Sequence, residues 1–207
     1  MNRFVLVSCM FFSSYAVFAD DSLSALMQRM KSSQPVKISY QETRTMELFD
    51  QAWQGNGFMY STPAGLMLQE QQQPHRLLMA VNKNDLFYFD PDNNIRHQGK
   101  IQEDDPLTLQ FAVFKALINA DEALLNRLYQ IDFVTKPKRW VMTLRSKEDV
   151  SDFSIVVSGP LLQKVDTIIV TQADGDLSEF MLKNEENVSA EQVLKSVNYL
   201  YAELTGE

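Results

Sequence analysis

Phe58 and Tyr60, Leu66 and Leu68, Leu78 and Ala80, and Phe87 and Phe89 stand in pairs at two-residue spacing, and the chemistry open to such side chains is the burial of other apolar groups. Positions two apart on a strand share one face of a sheet. The intervening neighbours Met59, Met67, Met79 and Tyr88 are apolar or amphipathic as well, so neither face of the stretch from Ile38 to Pro91 reads as wet. A sheet with one face in water would alternate apolar with polar residues. Both faces therefore need a cover, supplied by helices or by a ligand.

Groups capable of covalent or acid–base chemistry lack partners at usable spacing. Ser158-Gly159-Pro160 has neither the Gly-x-Ser-x-Gly elbow nor the strand-to-helix turn that exposes a serine nucleophile. His75 and His97 stand beside turn signals, with no cysteine or second histidine at ligand spacing, which argues against zinc. Asp104-Asp105 and Glu185-Glu186 fall in predicted loops or helix starts, where solvation and the helix dipole account for them. Carboxylates converging from distant strands, as in glycosidases, stay open on these grounds. There is no glycine-rich phosphate loop. The expectation is a protein that is not an enzyme and carries no metal and no cofactor.

The start of the chain reads as a secretory signal peptide over residues 1–19. Asn2 and Arg3 precede an apolar run from Phe4 to Phe18, and Val17 and Ala19 supply the small residues for cleavage after Ala19. Ser8, Ser13, Ser14 and Tyr15 make the run a poor transmembrane anchor. Leu6-Val7-Ser8-Cys9 has the local look of a lipoprotein cleavage site, but the apolar stretch before Cys9 is short for one. Cleavage after Ala19 leaves residues 20–207 as one domain without cysteine, expected to be soluble and periplasmic. It removes Arg3 as the only charged side chain, taking the formal charge from -8 to -9. So acidic a chain is a poor match for nucleic acid and is not drawn to an anionic membrane by its overall field. Asn187-Val188-Ser189 matches a glycosylation acceptor, a pattern too short to weigh much.

Behind these residues the periodicities predict a short helix capped by Ser22, with Leu23, Leu26, Met27 and Met30 on one face. Strands follow from Val36, punctuated by Gly55 and Gly57, Pro63-Ala64-Gly65, Pro74, Asn82–Asp85 and Asp90–Asn94, and the last of this series runs from Ile95 to Ile101. Glu103-Asp104-Asp105-Pro106 then opens a helical insertion in which Leu107, Phe111, Phe114, Leu117 and Ile118 recur at three- and four-residue steps, followed by a helix over Asp121–Tyr129. Five further strands follow, with a hairpin at Asp174-Gly175, and residues 189–204 read as a final helix. Eleven or so short strands with helices inserted predict a mainly β fold, a meander, sandwich or barrel.

At this point the chain resembles the LolA-like family, the periplasmic carriers of outer-membrane lipoproteins. Tyr40-Gln41-Glu42-Thr43-Arg44, Gly57-Phe58-Met59-Tyr60 leading to Pro63, Gln73-Pro74, and Leu86-Phe87-Tyr88-Phe89-Asp90-Pro91 resemble the family's strands and turns in order, and Asp174-Gly175 is similar in place and type. The resemblance implies an unclosed antiparallel barrel of about eleven strands covered by short helices. Two positions depart from the pattern. The family has an arginine, a latch between barrel and lid, where this chain has Thr62, and the C-terminal segment after Asn187 looks helical. The chain is thus similar to a divergent member of the family.

The resemblance implies a soluble monomeric carrier that shields acyl chains of a lipoprotein or lipid, takes them from an inner-membrane donor and hands them to an outer-membrane acceptor. A sensor of lipid or lipoprotein on the same scaffold is the alternative. The residues assigned to the acyl cavity are Phe58, Tyr60, Leu66, Leu68, Phe87, Phe89, Phe111, Phe114, Trp140 and Met142, though for any one of them packing as core is the simpler account. Arg44 is the candidate to meet a headgroup or the lid, set against a plain pairing with Glu42 or Glu47.

Overall fold

Period-two apolar runs broken by Gly, Pro and Asn turns give eleven strands in the computed structural model, which describes residues 22–46, 51–100, 113–117, 119–147 and 153–207. They are β1 (Val36–Thr45), β2 (Trp53–Ser61), β3 (Met67–Gln73), β4 (Leu77–Asn82), β5 (Asp85–Asp90), β6 (Ile95–Lys100), β7 (Tyr129–Thr135), β8 (Arg139–Ser146), β9 (Ser154–Pro160), β10 (Thr167–Thr171) and β11 (Leu177–Asn184). Three helices accompany them: α1 (Leu23–Met30), α2 (Glu122–Leu128) and α3 (Ala190–Thr205). Residues 113–117 are helical too. The expected signal peptide, Phe111 and the helix start at Pro106 lie outside the described residues.

All eleven strands form one antiparallel sheet in the order β6-β5-β4-β3-β2-β1-β11-β10-β9-β8-β7. Each half is a meander, and the halves are joined where β1 pairs with β11, Tyr40 opposite Leu182 and Glu42 opposite Phe180. The order ends at β6 and β7, so the barrel is open, as the sequence motifs imply. The Asp174-Gly175 hairpin forms as expected, with Gly175 at φ 89° in the left-handed region that a tight turn between twisted strands requires.

The sheet has two greasy faces, and alternation assigns each residue to one. Ile38, Tyr40, Met59, Met67, Val81, Trp140, Met142, Leu144, Ile155, Val157, Ile168 and Phe180 point to the inner face and pack with Leu26, Met27 and Met30 of α1, Phe114 and Leu117 of the 113–117 turn, and Leu125 of α2. Tyr60, Leu68, Leu78, Ala80 and Phe89 point the other way, against Val193, Val197, Leu200 and Leu204 of α3. Each of those helix side chains is at least 95% buried, and full burial of one such side chain is worth about 2 kcal/mol.

α3 is where the chain departs most visibly from a bare barrel with a lid. Ser189 caps it through a reciprocal box with Gln192, and Gly206 ends it at φ 81°. Arg76 clamps Glu203 with two hydrogen bonds, 2.5 and 2.8 Å, and donates a third to Glu70 at 3.1 Å. The Arg96 guanidinium lies 3.6 Å from the Phe89 ring centroid and donates to the Glu203 carbonyl. The sixteen-residue helix is thus fastened along its apolar stripe and at its last turn.

Close strand approach accounts for Gly57. The β2–β3 register shifts between Asn56 and Gly57, and a Cβ there would collide with the Glu70 carbonyl oxygen and the Gln71 backbone. Gly57→Ala is expected to destabilise the protein by about 1–3 kcal/mol, read as a lowered denaturation midpoint in urea at unchanged m-value. An unaltered midpoint would mean that the two strands can part without cost.

Candidate functional site

The inner face is closed over by short elements. α1 has eight residues and α2 seven, and their side chains meet through Ser24 Oγ, which donates to the Glu122 carboxylate at 3.1 Å. The 113–117 turn sets Val113, Phe114, Ala116 and Leu117 into the core at 1% exposure or less. Two polar ties fasten this stretch to the sheet. Ser61 Oγ donates to Asn119 Oδ1 at 2.7 Å, and Lys115 Nζ donates to the Lys83 carbonyl at 3.1 Å. Burial lowers the pKa of that lysine. Thr62 turns inward on its own loop: its backbone and hydroxyl close the β2–β3 turn on Gly65 and Leu66. Among the described residues the β2 tie to this stretch sits at Ser61, one position earlier.

Where α1 and the 113–117 turn meet the sheet they leave an apolar crevice of about 40 Å³, lined by Met30, Val36, Ile38, Met59, Phe114, Leu117, Ile168 and Leu182. Ser32, Lys164 and Asn184 stand on its polar margin. Ligand pockets that enclose a whole small molecule usually measure at least ~300 Å³. The inner face is thus shut, and admitting a chain requires the short helices to shift. Methionine recurs in the inner cluster around it: Met27, Met30, Met59, Met67, Met79 and Met142, six of the ten in the chain, belong to that cluster, and Met30 and Met59 line the crevice itself. Unbranched thioether side chains re-pack around irregular apolar guests at low cost.

Toward the Arg44 end of β1 the inner face becomes polar. Gln69 Nε2 donates to the Tyr40 hydroxyl at 3.0 Å, and Arg44 Nε donates to Glu42 Oε1 at 2.5 Å. The Arg44 guanidinium lies 4.7 Å from the Trp53 ring centroid. Glu42 is 1% exposed and its Oε2 has no hydrogen-bond partner among the described residues. Desolvation raises its carboxyl pKa against the opposing pull of Arg44. The Tyr129 hydroxyl is likewise buried without a partner, and burial pushes its pKa up to about 12. Arg44 thus makes the plain pairing with Glu42 that its sequence context allowed.

The sequence-assigned cavity residues divide. Phe114, Trp140 and Met142 lie in the inner cluster. Phe58, Tyr60, Leu66, Leu68, Phe87 and Phe89 do not: they belong to the outer cluster beneath α3. The physical reason is register: Met59 faces Ile38 across β1–β2 and Met67 faces Val81 across β3–β4, which turns Phe58, Tyr60, Leu66 and Leu68 outward, and Val81 faces Leu86 across β4–β5, which turns Phe87 and Phe89 outward. Met59, Met67 and Met79, with Ile38, Val81 and Leu86, take the inner role instead. One signal marked the outer parity: Glu70, two positions after Leu68, is a charge at the margin of that face. Among the described residues no group of three or more His, Cys, Asp and Glu side chains could hold a metal ion, and no helix is long and apolar enough to cross a membrane.

No protein-family model and no curated protein matches this chain. Solved structures do. A DUF1329 family protein from Desulfovibrio piger is similar with a TM-score of 0.50 at 10% identity, the match covering 88% of this chain and 96% of that one. A LolA superfamily protein from Nitrosomonas europaea is similar with a TM-score of 0.44 at 10% identity, covering 81% of this chain and 92% of that one. MucB of Pseudomonas aeruginosa, solved in complex with MucA, gives 0.43 at 10% identity over 83% of this chain and 60% of that one, so this chain spans less than two thirds of MucB. At such identities the likeness is one of fold alone, an open antiparallel barrel covered by helices.

The buried Glu42 carboxyl has a pH signature. Its folded pKa lies above the usual value of 4.5, so the folded state binds its proton more tightly than the unfolded chain, and this site loses stability as pH rises from that value toward the raised one. Glu42→Gln removes the titration. The variant's melting temperature relative to wild type is expected to climb as pH is raised from about 4 to 7, and a difference independent of pH would rule out a buried, up-shifted carboxyl.

Proposed function

We propose that this protein is a periplasmic carrier that shelters the acyl chains of a lipoprotein or lipid against its inner sheet face while they cross from one membrane to another. The observation that supports it best is the inner face itself, a continuous apolar surface closed by helices of eight and seven residues and a single turn. Helices that short have little stability of their own and depend on the surface they cover. An acyl chain entering at the crevice offers them a substitute surface, since burial yields about 0.8 kcal/mol per methylene, on the order of 10 kcal/mol for sixteen carbons before opening costs. Enclosure and release then proceed without bond making.

Among the described residues the lid has few polar ties to break. Opening it costs the Ser61–Asn119 and Lys115–Lys83 hydrogen bonds and, at α2, the bond from Lys147 Nζ to the Asn126 carbonyl, each worth about 1 kcal/mol net, together with the apolar contacts that the guest replaces. A donor at the inner membrane and an acceptor at the outer membrane would bias the same opening in opposite directions. Cleavage of residues 1–19 after Ala19 would deliver the protein to that compartment.

Protein purified from the envelope of its host is expected to carry stoichiometric acyl lipid by native mass spectrometry and to move it between donor and acceptor vesicles. Binding without transfer would point to a sensor on this scaffold, and an empty, tightly packed protein would remove both readings. Val36→Arg, at the half-buried start of β1, is expected to cut lipid retention at least tenfold while preserving the fold. Leu68→Glu is expected to lower the melting temperature instead, by loosening α3. Ser61→Ala is expected to speed uptake of a fluorescent fatty acid in stopped flow, and an unchanged rate would show that this bond does not hold the lid.

A further inference from the structure

The apolar crevice has a polar neighbour. Lys164, Val165, Leu182 and Asn184 line both it and a second cavity of about 440 Å³, bounded by the loop between β9 and β10 and by the residues that follow β11. An apolar slot thus shares a wall with a polar cup. That junction is the shape of an amphiphile, and the acyl-carrier reading proposed above leaves the polar part of the cargo unassigned.

The charges of the cup say which polar part fits. Asp166 is already held by Arg139 through two hydrogen bonds, 3.0 and 2.5 Å, and by the Thr167 hydroxyl at 2.9 Å. Glu185 accepts from the Ser39 hydroxyl at 2.7 Å. Among the described residues neither Lys164 nor Glu186 has an ion-pair or hydrogen-bond partner, and both are exposed. Lys183 also borders the cup, but in the β11 alternation it shares the outer face with Ser39, which leaves Lys164 as the cation where slot and cup meet. The cup therefore offers the Lys164 ammonium at the edge it shares with the slot, amides from Asn184 and Asn187, and the carboxylates of Glu185 and Glu186. A purely anionic headgroup would meet those carboxylates. A quaternary ammonium is usually held by aromatic rings, and none lines the cup among the described residues.

We infer that this cup is a headgroup subsite for a phosphodiester bearing a primary ammonium, a phosphoethanolamine, with Lys164 on the phosphate and Glu186 on the ammonium. The inference rests on the carrier reading and deepens it. An exposed ion pair of this kind contributes up to about a fivefold change in affinity.

The test is displacement of a fluorescent fatty acid by single-chain lipids of equal acyl length carrying phosphoethanolamine, phosphocholine, phosphoglycerol or plain glycerol. The phosphoethanolamine lipid is expected to compete best, by about fivefold over plain glycerol. Lys164→Gln should abolish the advantage of the phosphoglycerol lipid over plain glycerol and reduce that of the phosphoethanolamine lipid to what Glu186 supplies. Glu186→Gln should abolish only the advantage of phosphoethanolamine over phosphoglycerol. Both positions are exposed, and circular dichroism checks that the variants fold. Equal competition by all four lipids would overturn the subsite and leave the carrier reading standing, as would a Lys164→Gln protein that weakens all four alike. Failure of the fatty acid itself to bind wild-type protein would instead overturn the carrier reading and the subsite with it.

Discussion

Everything in this fold follows from a sheet whose two faces are both too apolar for water. From β2 to β5 the large side chains occur at odd and even positions alike, so neither parity can be left bare. The chain answers with two covers of unequal character. Outside lies one sixteen-residue helix, capped at both ends and clamped by Arg76. Inside lie short helices tied down by isolated hydrogen bonds. The difference in fastening separates a face that holds the molecule together from a face that can be uncovered.

Polarity is distributed with the same asymmetry. The outer cover spends its charges on itself, in the Arg76–Glu203–Glu70 cluster and in Arg96 against Phe89. The inner face buries polar atoms that have no hydrogen-bond partner among the described residues, Glu42 Oε2 and the Tyr129 hydroxyl. Unpaired buried groups cost stability, and proteins keep few of them. Here they sit on the surface that the short helices cover, which is the part of the molecule least bound to a single arrangement.

Most of the architecture was legible from the residues alone. Ser22 as a cap, the strand at Trp53, the turn at Asp174-Gly175 and the C-terminal helix all depend on local chemistry, and local chemistry is written in order along the chain. What could not be read was which way each strand faces. Parity is decided by what packs against the sheet, and with Met59 beside Tyr60 and Met67 beside Leu68 both assignments look equally greasy. The aromatic residues of β2 and β5 drew attention because they are large, yet they serve α3, while Met59, Met67 and Met79 join the inner cluster. The second half posed no such ambiguity. On β8, Trp140, Met142 and Leu144 alternate with Val141, Thr143 and Arg145, so pattern alone sets one parity apart, and that parity packs in the inner cluster.

The single pairing of β1 with β11 sets an order in time. Every other strand bonds to a neighbour in sequence, but Tyr40 has to wait for Leu182, and Leu78 and Phe89 have to wait for α3. A chain made from its N-terminus can lay down the β1–β6 meander early, with one greasy face open until α3 arrives. Non-local closure of this kind is slow compared with hairpin formation. The docking of α3, rather than the completion of any hairpin, is therefore the event that renders this sheet safe from its own surfaces.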